Sequence, residues 1–210
     1  MRKVDLDLYQ RRALFEAFKD RDVPYFSTTS LVDITPFHAW VKEQQCGFFV
    51  PFSFLISTAV NRISELRQRI VGGELYEFDI VDPGYTVLLE DNTFSFCDAR
   101  HFNDFGAYLE HANAKIAEVK QCPDRSVGEK YHMFFITSLP WFSFTSVTHP
   151  YDRQYGSIPI VTIGKYFAQG NQLLIPIGIQ VHHAVVDGIH VGRFYQHLSS
   201  LCQEPTTWLK

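Results

Sequence analysis

The sequence predicts an α/β fold, a two-layer sandwich in which helices pack on one mixed, largely antiparallel sheet. Three observations point there. Segments with apolar residues every three or four positions are interspersed with alternating, β-branched and aromatic segments, without the regular alternation of a parallel nucleotide-binding sheet. No GxGxxG or GxxxxGK loop is present, so any coenzyme is expected to be held another way. With 46% hydrophobic and 20% charged residues, 210 residues suffice to close a core without disulfides or metals, and one domain over 1–210 is expected.

The elements follow in order. Leu14, Phe15 and Phe18 predict a helix within Tyr9 to Lys19, and Pro24 introduces a β-rich stretch through Ile34. Asp33-Ile-Thr35-Pro36 has the form of a strand end, an N-cap and a first-turn proline, starting a helix that runs to about Glu43. A third helix follows Pro51, with Phe54, Leu55, Thr58, Ala59, Ile63 and Leu66 on its buried face. Gly72-Gly73 reads as a hairpin turn between Arg69–Val71 and Glu74–Phe78, and Pro83-Gly84 as another turn. Tyr85–Leu89 and Thr93–Phe96 read as strands, and Phe105, Leu109, Ala112 and Ile116 as the face of a long helix. Tyr131–Ser138, Ile158–Phe167 and Leu173–Val181 are strand-like, Gly170-Asn171 turns the last two into a hairpin, and a final helix spans about Ile189 to Cys202.

Bulk chemistry narrows the partners. A formal charge of −4 gives no electrostatic reason to expect nucleic acid. Cys46, Cys97, Cys122 and Cys202 have no metal-binding or disulfide spacing and are read as reduced thiols. The charged N-terminus lacks the apolar core of a signal peptide, and no run approaches the ~20 apolar residues of a membrane span, so a cytoplasmic protein is expected.

Chemistry concentrates in Gln180-Val-His182-His183-Ala-Val-Val-Asp187-Gly188, where the last strand meets the last helix. Strand alternation puts His183 on the face of Ile175, Ile177, Ile179 and Val181, and His182 on the opposite face. Burial there is expected to keep His183 neutral, as a base that accepts a hydroxyl proton must be. Asp187 is expected to cap the final helix or anchor the turn that aims His183. Adjacent histidines on a strand cannot easily grip one ion, so no metal is expected at His182, His183, Asp187 and His190.

The segment Gln180 to His190, QVHHAVVDGIH, resembles the active-site signature of the chloramphenicol acetyltransferases, and Val191-Gly192-Arg193 continues it. Arg11 to Phe18, Val81-Asp-Pro83 with Tyr85-Thr86-Val87, Ser138-Leu-Pro140-Trp141 and Thr162-Ile-Gly-Lys165-Tyr166 resemble further blocks of that family, in family order and over nearly the whole chain. The resemblance implies a CoA-dependent acyltransferase fold. It also implies acetyl-CoA as co-substrate, the primary hydroxyl of chloramphenicol as acceptor, His183 as general base, and direct transfer without an acyl-enzyme. It further implies a homotrimer whose sites lie between subunits.

Thr137 matches the family's serine that stabilises the oxyanion, with Ser138 beside it. Asp187 is implied to pair with Arg11. Phe18, Tyr25, Thr86 and Phe94 match positions lining the acceptor pocket, and Thr162 a threonine that contacts the acceptor through water. Lys165 and Tyr166 match the coenzyme path, with Trp141 or Tyr166 offering an aromatic surface to adenine. One segment departs from the family: Ser146-Val-Thr-His149-Pro-Tyr151 replaces and shortens an Asn-containing loop that borders the acceptor. It motivates an alternative reading in which another hydroxylated small molecule is the main acceptor; the non-enzyme alternative is a trimeric protein that sequesters a ligand.

Overall fold

The computed structural model describes residues 1–123 and 128–210. The elements are β1 (Arg2–Lys3), α1 (Arg12–Phe18), β2 (Tyr25–Asp33), α2 (Thr35–Glu43), α3 (Phe49–Asn61), β3 (Gln68–Val71), β4 (Glu74–Glu77), β5 (Asp82–Leu88) and β6 (Phe94–Asp98). They continue with α4 (Phe105–Gln121), β7 (Met133–Ser138), β8 (Ile160–Ile163), β9 (Phe167–Gln169), β10 (Gln172–His182), α5 (Gly188–Gln203) and α6 (Pro205–Trp208). The main sheet has the order β2-β10-β8-β7-β5-β6, with β9 also on β10, and β1-β4-β3 form a small second sheet. Among the described residues only β5–β7 and β7–β8 pair in parallel, so the sheet is mixed and mostly antiparallel. Helices α2 to α5 lie against it.

Strand β10 organises the molecule. Its alternate residues Ile175, Ile177, Ile179 and Val181 are buried in the helix-side core with Phe37, Phe52, Leu55 and Phe194. It pairs with β2 along the full length of that strand, from Leu174 opposite Asp33 to His182 opposite Tyr25. No helix among the described residues is long and apolar enough to cross a membrane.

Several boundaries differ from the sequence reading. Pro83-Gly84 is not a turn but lies inside β5. A Cβ at Gly84 would stand 3.0 Å from Met133 Cε and 3.1 Å from Phe135 Cδ1, so the glycine permits close strand packing rather than a reversal. Ile158–Phe167 is not one strand: it breaks after Ile163, where a Cβ at Gly164 would meet Pro176 Cγ at 2.6 Å and Phe144 Cε1 at 2.8 Å. Helix α3 starts ahead of Pro51, which its first turn tolerates, and ends before Ile63 and Leu66; a 3-10 turn over Ser64–Arg67 follows. The α2 cap is also different. Ile34 is the N-cap residue, and the Asp33 carboxylate accepts from the Thr35 N–H at 2.9 Å and its hydroxyl at 2.6 Å. The short elements β1 and α6 carried no sequence signal.

Candidate active site

The residues singled out in the sequence fall into three groups. The first is a corner where β2, β10, α1 and the start of α5 meet. Its backbone is fixed by the His183 N–H donating to Pro24 O at 2.7 Å. The His183 ring stacks on Phe18 at 4.2 Å between centroids and is flanked by Phe26 at 4.9 Å. Its side chain is 38% exposed, so it is half-buried at the surface and does not sink into the core as the apolar face suggested; β10 ends at His182, and the chain turns there.

Asp187 caps α5. His190, three residues on, accepts the Asp187 N–H on Nδ1 at 2.9 Å, closing a capping box. Arg11 Nε donates to Asp187 Oδ2 at 2.9 Å, and its Nη2 lies 2.7 Å from Oδ1. The same guanidinium donates to the carbonyls of Val185 and, at 3.4 Å, Ala184, so it clamps the whole His183–Asp187 turn. The Nδ1 of His183 lies 3.3 Å from Asp187 Oδ1 but is buried without hydrogen-bond geometry, which leaves Nε2 as the nitrogen for an outside proton. Desolvation by burial pushes His182 down to about 4. Burial likewise lowers His190, against the nearby Glu65 carboxylate.

The second group lines a cleft of about 520 Å3 over β5, β6 and β7, a size suited to a small molecule. Thr86, Phe94 and Thr137 are on its wall with Phe96, Phe135 and Ile160. The Thr137 hydroxyl forms no hydrogen bond among the described residues, and Ser138 does not line the cleft. Phe94 and Phe96 pack edge to face at 5.6 Å, yet remain 61% and 40% exposed on an edge strand.

Three of the residues expected in the acceptor pocket do not line this cleft within one chain. Phe18 is not on the cleft wall because it is stacked against His183. Tyr25 reaches the cleft only through Tyr151, on which its ring stacks at 5.4 Å. Thr162 does not line it either; its side chain lies in the interior at 1% exposure, and its hydroxyl is hydrogen-bonded to His149 Nε2 at 2.7 Å. His149 was not singled out as a site residue, because a loop residue's bond to the sheet leaves no periodic trace.

The third group is a surface patch beyond the ends of β7 and β8. The Lys165 N–H donates to Phe142 O at 3.0 Å, which brings Trp141, Phe142, Lys165 and Tyr166 together. Tyr166 packs against His38 at 5.2 Å and Phe48 at 5.8 Å, and Trp141 is 60% exposed.

The strand register measures the separation of the first two groups. Gly178 of β10 stands opposite Thr162, and Thr162 opposite Thr137. His182, the last residue of β10, is four residues beyond Gly178, ~13 Å at ~3.3 Å per residue, and two strands from Thr137, ~10 Å, so the end of β10 that carries His183 lies ~16 Å from Thr137 along the sheet.

The sequence model of the family described as chloramphenicol acetyltransferase matches residues 1–199. The chloramphenicol acetyltransferase of Proteus mirabilis is 36% identical, covering 96% of this chain and 94% of that protein. Chloramphenicol acetyltransferase 3 of Escherichia coli is 35% identical, covering 95% and 96%. Among solved structures, a chloramphenicol acetyltransferase superposes with a TM-score of 0.90 at 24% identity, covering 96% of this chain and 99% of that one. A dihydrolipoamide acetyltransferase of Azotobacter vinelandii superposes with a TM-score of 0.70 at 18% identity, covering 100% and 94%. At these identities the structural likenesses speak to the fold.

Proposed function

Because the chain belongs to the chloramphenicol acetyltransferase family, we propose that it transfers the acetyl group of acetyl-CoA to the primary hydroxyl of chloramphenicol, with His183 as general base. The observation that carries the base assignment is the His183 ring held between Phe18 and Phe26 with its Nδ1 turned to Asp187, leaving Nε2 available. Nε2 takes the hydroxyl proton as the oxygen attacks the thioester carbonyl. The oxyanion accepts a hydrogen bond from Thr137, whose hydroxyl is uncommitted in the cleft. Collapse of the tetrahedral intermediate expels the thiolate of CoA, which recovers the proton from His183. Asp187 and Arg11 hold the turn and carry no proton. Trp141, Lys165 and Tyr166 form the coenzyme path.

The working unit is a homotrimer of 210-residue domains in the cytoplasm. A separation of ~16 Å between the end of β10 and Thr137 is too long for His183 and Thr137 of one chain to act on the same bond, for which reacting atoms stand ~3–3.5 Å apart. His183 of one subunit therefore faces the cleft of its neighbour. Two different sheet ends, the β2 side with His183 and the β6 edge with exposed Phe94 and Phe96, then meet head to tail, and such a contact closes into a ring.

Thiol release from acetyl-CoA tests the proposal. Release that needs chloramphenicol and is lost in His183→Ala supports it; release with other alcohols but not chloramphenicol moves the acceptor elsewhere. The second outcome has a motive in the 146–151 segment, which places His149, Pro150 and Tyr151 on the cleft wall. No release with any alcohol would sink the enzymatic reading.

A further inference from the structure

The loop between β7 and β8 contributes one side chain to the cleft that is held as firmly as a strand residue. The His149 N–H donates to Gln180 Oε1 at 2.8 Å, and the His149 carbonyl accepts from Gln180 Nε2 at 3.3 Å. Ser27 Oγ donates to the same Gln180 Oε1 at 3.1 Å, so the amide is itself fixed by β2. Gln180 lies in the middle of the sheet with 7% exposure, and two strands therefore set the position of a residue that belongs to a loop.

The ring is committed on one side only. Nε2 is hydrogen-bonded to the Thr162 hydroxyl, and no second partner engages the ring nitrogen Nδ1 among the described residues. Around it the wall is mostly apolar and aromatic, with Phe94, Phe96, Phe135, Ile158 and Ile160. A polar atom presented in such a wall discriminates strongly between ligands, because a ligand lacking the matching group leaves it unpaired. Thr162, at 1% exposure, cannot make that contact itself.

The geometry points to His149 as a specificity-determining residue for the acceptor: it brings a polar ring to a mostly apolar cleft wall, with Thr162 acting behind it to fix the ring. Burial holds its basicity below the usual histidine range, so the ring is neutral when it binds. The inference rests on the acetyl-transfer reading and deepens it. Acceptor binding depends on His149, whereas the transfer step depends on His183.

The test uses the whole protein with chloramphenicol as probe. His149→Phe keeps a ring of similar size, removes both nitrogens and leaves the backbone bonds to Gln180 in place. Calorimetric Kd and the steady-state KM for chloramphenicol should both rise about tenfold, while kcat and the KM for acetyl-CoA stay within about twofold. Thr162→Val should shift the acceptor KM in the same direction by a smaller factor, about threefold. An unchanged acceptor KM in a folded His149→Phe protein overturns the inference. So does a fall in kcat alone, or a larger effect of Thr162→Val than of His149→Phe. Failure of the native protein to bind chloramphenicol or turn it over would instead remove the acetyl-transfer reading, and this inference with it.

Discussion

The His183 corner and the cleft over β5, β6 and β7 are built on opposite plans. In the corner nearly every polar group is committed within the chain: Arg11 to Asp187 and to the turn carbonyls, Asp187 to the cap of α5, His190 to the Asp187 N–H. The cleft is open, with phenylalanines exposed on an edge strand and a threonine hydroxyl that has no partner among the described residues. A base must be aimed before substrate arrives, whereas a pocket that a neighbouring subunit completes must stay open until that neighbour is in place. In the proposed head-to-tail assembly, preorganisation resides within the chain and binding between chains.

The largest effect should come from the corner. His183→Ala is expected to lower kcat by about 10²- to 10⁴-fold with the fold unchanged, as read by thiol release and circular dichroism. A loss of fold alongside activity would mean that the ring stack with Phe18 is structural first. Next is the cleft. Thr137→Val should reduce kcat by about 10²- to 10³-fold with little change in KM, and Thr137→Ser should retain activity. Mixing sharpens the contrast: subunits of His183→Ala and Thr137→Val refolded together should regain about a quarter of native activity, the share of head-to-tail contacts that combine both intact groups. No recovery would place the base and the oxyanion donor in one chain.

Acid provides the third test. His182 is depressed from 6.5 to about 4 in the folded protein, so the unfolded chain binds its proton first. Stability is therefore unaffected by this group above pH 6.5 and falls as the pH drops from 6.5 toward 4, by on the order of 2–3 kcal/mol. Melting curves of the native protein and His182→Asn over that window should converge at the acid end; parallel curves would show that other groups carry the acid response. The smallest effect is expected for Asp187→Asn. The ~3–5 kcal/mol of a fully buried pair is discounted here to about 2 kcal/mol, because the Asp187 side chain is 26% exposed. Activity should fall with stability, and equal stability with lost activity would argue against Asp187 as the anchor of the turn.

Legibility in the sequence followed the length over which a pattern was sustained. The nine residues from Leu173 to Val181 and the heptad-like spacing in Phe105 to Ile116 placed β10 and α4 within a few residues. The corner was legible because its members lie within one short signature, joined by a single long-range partner, Arg11. Elsewhere local chemistry misled. Pro83 and Gly84 carry turn residues into a strand because Met133 and Phe135 crowd the space beside Gly84. The division of Phe18 from Thr86 and Phe94 had no local sign, since strand order decides which residues share a wall. His149 stayed hidden for the same reason.

The clamp at the corner also has a consequence in time. Arg11 meets Asp187 across 176 residues of sequence, and β2 finds its partner only in β10. A chain emerging from a ribosome holds its first helix and strand without their partners until the last helix follows. The corner around His183 is thus among the last of these elements to close, once Asp187 and α5 have followed β10.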